Sequence, residues 1–157
     1  MNAGFVNAGL IIFMTVGTIF LPIAILAFLV SHNKKIIKER TERLTSGTDE
    51  LPAAEFLELT QLAGVQDFTG CYILHNVSKD KYYVGQSKGV YKRARDHFNG
   101  RGNPQVFLDY NNGDAFTVKA VTLAQSGYNS INDLERDLIQ GYDAYTKGYN
   151  GTRGNRN

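Results

Sequence analysis

A long uncharged segment near the start of the chain restricts the possible folds more than any other feature. The twenty-two residues 9–30 read GLIIFMTVGTIFLPIAILAFLV and contain no ionisable side chain. As an α-helix rising about 1.5 Å per residue, the segment would span roughly 33 Å, close to the ~30 Å thickness of the hydrocarbon core of a bilayer. Soluble helices are seldom apolar on every side over such a length. The segment therefore predicts a single transmembrane helix that contacts the lipid bilayer through residues 9–30.

Two alternatives to a membrane anchor are a buried core helix and a cleaved signal peptide. The signal peptide is disfavoured because no Lys or Arg precedes the segment and no A-x-A cleavage site follows it. Basic residues follow the segment instead, at Lys34, Lys35, Lys38, Arg40 and Arg43. Because positively charged flanks stay on the cytoplasmic side, we expect a single-pass protein of the cell (inner) membrane with its C-terminal domain in the cytoplasm.

The charged residues begin beyond the apolar segment. Residues 31–69 contain five Lys or Arg and seven Asp or Glu, whereas residues 70–157 contain twelve and eight, a net charge of +4. This small basic excess is compatible with a polyanion partner but does not identify one. The single cysteine excludes an internal disulfide, and no Cys/His cluster could hold a structural zinc. We divide the chain into an anchor at 1–30, a charged connector with a short helix at 31–67, and a folded domain at 68–157.

Residue patterns in the folded domain predict alternating strands and helices. Strand-forming residues at 71–77 and 82–86, separated by a turn, predict an antiparallel hairpin, and an alternating apolar pattern predicts a third strand at 116–123. Helices are predicted at 53–62, at 90–98, at 105–110 and from Ser130 to about Tyr145, and the Gly- and Asn-rich stretch 147–157 is expected to be irregular. The domain is therefore of the α/β class (α+β type), with a β-β-α-β-α order.

A carboxylate lies within the apolar stripe of the last predicted helix. Glu135 is four residues from both Ile131 and Ile139, which belong to that stripe. Burying a carboxylate costs free energy unless it is paired or binds a cation. The pattern leaves two interpretations open: an ion pair with Arg136 or another base at the edge of the stripe, or a cation ligand.

Several polar residues recur in a fixed order across the domain. Gly70-Cys71-Tyr72 is followed after ten residues by Tyr83-Val84-Gly85, Arg93 lies ten residues beyond Tyr83, and Asn150 lies fifteen residues beyond Glu135. This arrangement resembles the GIY-YIG nuclease family over about residues 68–157. The resemblance implies a small three-stranded antiparallel sheet flanked by helices, and a catalytic set formed by Tyr72, Tyr83, Arg93, Glu135 and Asn150.

The resemblance also implies roles for these residues. Glu135 would be the metal ligand, holding Mg²⁺ or Mn²⁺ with water and a substrate phosphate completing the coordination. Either Tyr72 or Tyr83 would accept a proton from water, with its pKa lowered by the metal and by Arg93. Arg93 would stabilise the charge that develops on the phosphate.

Less direct roles are expected for the remaining residues. Asn150 would fix the end of a strand or contact the substrate, and Gly85 would allow a close approach of the backbone. His97 and Lys92 are possible accessory residues, with no catalytic role assigned to His97. Against these roles stand ordinary structural ones, since a charged helix face commonly faces solvent and paired strand tyrosines commonly pack across a sheet.

The predicted function is a metal-dependent endonuclease that is anchored in the membrane and acts on nucleic acid, with DNA favoured over RNA. An anchored nuclease would meet incoming foreign DNA as that DNA enters the cell. Two other classes remain open: a catalytically inactive nucleic-acid-binding module, and a membrane scaffold in which the anchor and the helix at 53–62 carry the function.

Overall fold

The computed structural model describes residues 7–62 and 64–155, with the backbone alone described for residues 7–20. The chain forms two compact units, Met1–Ile36 and Ile37–Asn157. Among the described residues, no helix is long and apolar enough to cross a membrane. The side chains of residues 9–20, much of the anchor predicted from the sequence, lie outside the described part.

The first unit contains most of a long helix, α1, which runs from Asn7 to Thr45 and includes Pro22. Every residue from Leu21 to Val30 is exposed, including the large apolar side chains of Leu21, Ile23, Ile25, Leu26, Phe28, Leu29 and Val30. The helix therefore presents apolar side chains over this stretch without contacts that bury them.

The second unit is built on a four-stranded antiparallel sheet in the order β1-β4-β2-β3. Its strands are β1 (Leu51–Pro52), β2 (Gly70–Asn76), β3 (Lys81–Ser87) and β4 (Phe116–Thr122). The hairpin and the third strand are present as predicted, but the prediction of three strands was wrong. The extra strand has only two residues and ends in proline, which in a sheet is confined to edges or strand ends.

Five helices follow α1: α2 (Ala53–Leu59), α3 (Val90–Phe98), α4 (Pro104–Asn111), α5 (Leu123–Ser126) and α6 (Ile131–Gly141). The short α5 was not predicted, although Thr122 caps it by accepting a hydrogen bond from the Gln125 amide. The last helix ends at Gly141, earlier than predicted from the sequence. Asp143 adopts a left-handed conformation (φ 50°) just beyond it, which the helix cannot continue through.

The sheet separates two apolar cores because consecutive side chains of a strand point to opposite faces. Tyr72 and Leu74 of β2 pack with Val90 and Ala94 of α3 on one face. Cys71 and Ile73 pack on the other face, with α6 and with Val84 of β3. Since both faces of β2 are covered, the central strand is almost entirely buried.

The last residues of α1 belong to the second unit. Thr41 and Thr45 are buried there, and the Tyr142 hydroxyl donates a 2.8 Å hydrogen bond to Thr45 Oγ1. A Cβ atom on Gly141 would overlap the side chain of Thr41, with 2.8 Å to its Cβ. The Arg40 guanidinium also lies 4.3 Å from the centre of the Tyr128 ring. The C-terminal end of α1 is therefore packed onto the folded domain.

Gly141→Ala should destabilise the second unit because its methyl group has no room beside Thr41. Overpacking of this kind typically costs about 1–3 kcal/mol. Thermal unfolding of the full chain, followed by near-ultraviolet circular dichroism of the tyrosines, should show a lower Tm. Gly47→Ala is the matched control because a Cβ there would meet no atom within 4 Å.

Adding Thr41→Ala to Gly141→Ala should restore part of the lost stability, since it removes two of the overlapping Thr41 atoms. Equal Tm values for Gly141→Ala and wild type would contradict the packing of α1 against α6.

Candidate active site

The two signature tyrosines lie on the same face of the β2–β3 hairpin. In the strand register Tyr72 is opposite Gly85, and Tyr83 is opposite Leu74, so the tyrosines are diagonal neighbours with ring centroids 6.2 Å apart. Tyr72 is only 1% exposed, whereas Tyr83 is partly exposed. A Cβ atom on Gly85 would overlap the Tyr72 hydroxyl. Glycine at this position therefore gives the Tyr72 side chain the space it occupies.

His97 holds the buried Tyr72 hydroxyl. It is fully buried on α3, and its Nε2 atom lies 2.9 Å from the Tyr72 hydroxyl oxygen. Its Nδ1 atom accepts a 2.9 Å hydrogen bond from the backbone amide of Asn103. Because a backbone N–H can only donate, Nδ1 carries no proton, and the neutral ring must be protonated on Nε2. The network therefore assigns Nε2–H as donor and the Tyr72 oxygen as acceptor.

The charge state of His97 follows from its surroundings. Burial, together with the nearby positive charge of Arg93, lowers the pKa of His97 to about 4, against a smaller opposing effect of Asp96. The ring is therefore neutral at pH 7, in agreement with the donor and acceptor pattern of its two nitrogens.

The tyrosine pKa values depart from the expectation based on Arg93. Burial raises the pKa of Tyr72 and of Tyr83, and this effect outweighs the lowering by the Arg93 charge at both residues. The neighbouring hydroxyls also affect each other: Tyr83 raises the pKa of Tyr72, and Tyr72 lowers that of Tyr83. Tyr83 is therefore the phenol of this pair whose ionised form its neighbour supports.

Arg93 and Lys92 occupy the first half of α3 but face different partners. The Arg93 Nη1 atom donates a 3.1 Å hydrogen bond to the carbonyl oxygen of Arg101, and its charge acts on both tyrosines. Lys92 forms a 3.0 Å ion pair with Asp96 and is otherwise largely exposed. The structure thus brings Arg93 to the tyrosines and places Lys92 in a neighbouring ion pair.

Glu135 lies on α6, which packs on the opposite face of the sheet from α3 and the tyrosines, and is 8% exposed. Its Oε2 atom accepts hydrogen bonds from the Gln86 side chain at 2.8 Å and from the Asn155 amide at 3.4 Å. Its negative charge contributes to raising the pKa of Tyr83, although less than burial does. Arg136, the partner considered in the sequence, instead pairs with Asp133. Within the described part of the chain, no ion pair includes Glu135.

The donor set around Glu135 fits a weakly held divalent cation. The described hydrogen-bond partners of the Glu135 carboxylate are neutral amides, and a buried carboxylate of this kind is stabilised when it binds a cation. Among the described residues, no group of three or more His, Cys, Asp or Glu side chains could hold a metal. Mg²⁺ commonly binds one or two carboxylates and completes its coordination with water and phosphate. Glu135 is the residue that would hold such an ion.

Asn150 closes the outer edge of β3. Its Oδ1 atom accepts a 2.9 Å hydrogen bond from the Val84 amide, and its Nδ2 atom donates a 2.7 Å hydrogen bond to the Val84 carbonyl. The adjacent Tyr149 amide donates to the Tyr82 carbonyl. Of the two roles expected for Asn150, this geometry provides the first: it fixes the strand that carries Tyr83.

Two contributors to the site were missed in the sequence. Gln86 holds the Glu135 carboxylate, and Asn103 sets the proton position on His97. The Asn103-Pro104 pair is a recognisable helix start, and the Asn103 side chain does cap α4. Its contact with His97 is made by the backbone, so the residue type gives no signal for it.

A family model of the GIY-YIG catalytic domain matches residues 68–150. The match covers more than half of the chain, and the chain therefore belongs to the GIY-YIG family. It is a nuclease family that binds nucleic acid and generally depends on divalent metals. The resemblance identified in the sequence is confirmed for this domain. No curated protein and no solved structure shows significant similarity to the chain.

The depressed pKa of His97 predicts a pH-dependent loss of stability. An unfolded histidine has a pKa of about 6.5, whereas the pKa of folded His97 is about 4. Between these values the unfolded chain binds more protons, so stability falls as the pH decreases through the window. The full contribution is roughly 3 kcal/mol. Tm values at pH 7, 6 and 5 should decrease more steeply for the wild type than for His97→Gln.

His32→Gln serves as the control, because His32 is exposed on α1 in the first unit and its replacement removes a histidine without touching the site. Parallel profiles for wild type and His97→Gln would contradict the buried neutral state of His97.

Proposed function

We propose that this protein is a membrane-anchored, cytoplasm-facing endonuclease that hydrolyses phosphodiester bonds of DNA with a divalent metal. The observation that carries the proposal is the arrangement around β3. Tyr83 of β3 is a partly exposed phenol on which the charges of Arg93, from α3 on one face of the sheet, and of Glu135, from α6 on the other face, both act. A base, a phosphate-binding cation and a metal-binding acid are the groups that phosphodiester hydrolysis requires.

Tyr83 is the general base in this proposal, and Tyr72 is its hydrogen-bond donor. Tyr72 is 1% exposed and hydrogen-bonded to His97, so its hydroxyl is less accessible to water and phosphate than that of Tyr83. Tyr83 is partly exposed, and the neighbouring Tyr72 acts to lower its pKa, which favours the phenolate form. Its phenolate would take a proton from water as the water oxygen bonds to phosphorus and the bond to the leaving oxygen breaks.

A divalent cation held by Glu135 would supply the positive charge that lowers the pKa of nearby water and phenol and that offsets charge on the phosphate. Arg93 would add a guanidinium that is only partly occupied by the Arg101 carbonyl. A guanidinium has five N–H donors, so donors remain for the phosphate oxygens as negative charge develops.

The anchor proposal is supported by the sequence and by exposure in the first unit. The uncharged run of residues 9–30 has the length of a membrane span, and its described large apolar side chains are exposed. Exposed apolar surface on this scale is typical of a membrane or protein contact. The basic residues that follow favour a cytoplasmic C-terminal domain. An enzyme held there would meet incoming foreign DNA, and location would direct its activity.

Glu135→Gln should abolish metal-dependent DNA cleavage while leaving the protein folded. The substitution keeps the shape and an acceptor for Gln86 but removes the charge that binds a cation, and a loss of at least about 10²-fold is expected. Cleavage of single- and double-stranded DNA by the full chain in mild detergent, with Mg²⁺ or Mn²⁺ against chelator, measures the effect. Glu58→Gln, an exposed acid on α2, is the matched control and should cleave like wild type.

Metal-dependent cleavage that survives in Glu135→Gln would contradict the metal site. DNA binding by a folded wild-type protein that cleaves neither strand form with either metal would favour the inactive binding module instead.

Two arginines introduced into the apolar segment, at Leu26 and Leu29, should release the chain from membranes. A charge at the centre of a spanning helix costs about 2.5–3.5 kcal/mol on insertion scales, so the pair should prevent insertion. Cell fractionation with an alkaline carbonate wash measures the outcome, with Leu26→Ala and Leu29→Ala together as the control. Wild-type protein found in the soluble fraction would overturn the anchor proposal and leave the nuclease proposal intact.

A further inference from the structure

The segment that joins α3 to α4 contacts the active site although it contains none of the signature residues. It consists of Asn99, Gly100, Arg101, Gly102 and Asn103, and is called the 99–103 loop below. Two of its backbone groups bind site residues: the Asn103 amide binds His97 Nδ1 at 2.9 Å, and the Arg101 carbonyl binds Arg93 Nη1 at 3.1 Å.

The contact with His97 decides which way the hydrogen bond to Tyr72 runs. Because the Asn103 amide occupies Nδ1 as a donor, the His97 proton lies on Nε2 and is donated to the Tyr72 oxygen. The Tyr72 proton must then point away from His97, and Tyr83, whose ring centroid lies 6.2 Å from that of Tyr72, is the neighbouring phenol on this face. In the other tautomer, Nε2 would accept the Tyr72 proton, and Tyr72 could not donate that proton to any other group.

Gly102 lets the loop come close enough for this contact. A Cβ atom at Gly102 would lie 2.5 Å from His97 Cγ, 2.6 Å from its Nδ1 and 2.8 Å from its Cα. Atoms at these separations cannot coexist, and the His97 backbone cannot yield as a flexible side-chain tip could. Any larger residue at position 102 must therefore displace either the loop or the imidazole ring.

An ion pair fixes the other half of the loop. Asp96, which is 5% exposed, accepts hydrogen bonds from Arg101 Nε at 3.0 Å and Nη2 at 2.7 Å, and its backbone carbonyl accepts the Arg101 amide at 2.8 Å. Charge-assisted bonds of this kind are among the stronger hydrogen bonds in proteins. They hold the Arg101 carbonyl in the position where it accepts the hydrogen bond from Arg93.

The far end of the loop is fixed by Asn103. The Oδ1 atom of Asn103 accepts the first amides of α4, and its Nδ2 atom donates a 3.0 Å hydrogen bond to the Tyr149 carbonyl. Tyr149 directly precedes Asn150, which holds the edge of β3. The loop therefore connects the residues on α3 with the segment that secures the strand of Tyr83.

We propose that the 99–103 loop is a positioning element of the nuclease site, which fixes the Nε2-protonated tautomer of His97 and holds the Arg93 guanidinium in place. The tautomer half of this inference rests on the geometry of the folded chain alone. Its effect on cleavage rests on the proposed function. The two halves therefore have separate measurements.

The tautomer is measured by ¹⁵N NMR of the full chain labelled at histidine. The chain has three histidines, and His32→Gln and His75→Gln assign the remaining signals to His97. The proposal expects an unprotonated Nδ1 and a protonated Nε2 at pH 7 in the wild type. A protonated Nδ1 would overturn it, whether or not the protein cleaves DNA.

The second measurement compares Gly102→Ala with Gly113→Ala. Gly113 has a positive φ of 96° and no atom within 4 Å of a built Cβ, so its substitution strains the backbone without touching the site. Gly102→Ala should change the His97 signals and lower the single-turnover cleavage rate by on the order of 10–10²-fold, with KM for DNA unchanged. Gly113→Ala should lose stability but keep the wild-type His97 signals and rate.

Two outcomes would contradict the positioning role: His97 signals in Gly102→Ala that match the wild type, or a cleavage rate that falls only in proportion to the loss of folded protein.

If Gly102→Ala does not fold, Arg101→Ala loosens the same loop without placing an atom against His97. It should lower the rate, and Arg101→Lys should restore part of it by pairing again with Asp96. Equal rates for wild type and Arg101→Ala would also contradict the proposal. If wild type itself fails to cleave, the proposed function fails while the tautomer measurement still stands.

Discussion

The hydrogen bond between the Tyr72 hydroxyl and His97 Nε2 is the contact on which the rest of the site depends. It joins the central strand β2 to α3 inside the protein, where an unsatisfied phenol or imidazole would cost free energy. Both nitrogens of His97 have partners, and glycines at positions 85 and 102 provide the space for the two rings. Because Tyr72 is buried by this arrangement, Tyr83 is the more exposed phenol of the two, and we propose that it is the one that faces a substrate. Two residues of one type thus have different burial and different partners.

The site also depends on the unpaired edge of β3, which has to stay accessible without leaving its backbone groups unsatisfied. Such an edge invites pairing with another chain. Here the Asn150 side chain satisfies both backbone groups of Val84, and the Tyr149 amide binds the Tyr82 carbonyl. Cationic Arg93 from α3 and anionic Glu135 from α6 act on Tyr83 from their own helices. The edge strand is thereby both closed to pairing and placed between the two charges that a phosphodiester and a metal would need.

The sequence predicted much of the fold because its strands and helices have clear periodic patterns and breaks. The hairpin, β4, α3 and the family followed from local residues and from the spacing of the signature residues. The strand β1 and the helix α5 were missed because two and four residues are too few to form a pattern. The division of roles between Tyr72 and Tyr83 could not be predicted, since it depends on burial and on a tautomer. The 99–103 loop acts through its backbone, and only its two glycines hint at that role.

The most direct test of this account is the single-turnover cleavage rate of Tyr83→Phe beside that of Tyr72→Phe, each corrected for the folded fraction at the assay temperature. If Tyr83 is the base, Tyr83→Phe should lose on the order of 10²–10⁴-fold in rate. Tyr72→Phe removes a supporting hydrogen bond and should lose clearly less. A larger loss for Tyr72→Phe than for Tyr83→Phe would contradict the assignment, because it would place the enclosed phenol, and not the accessible one, at the reacting water.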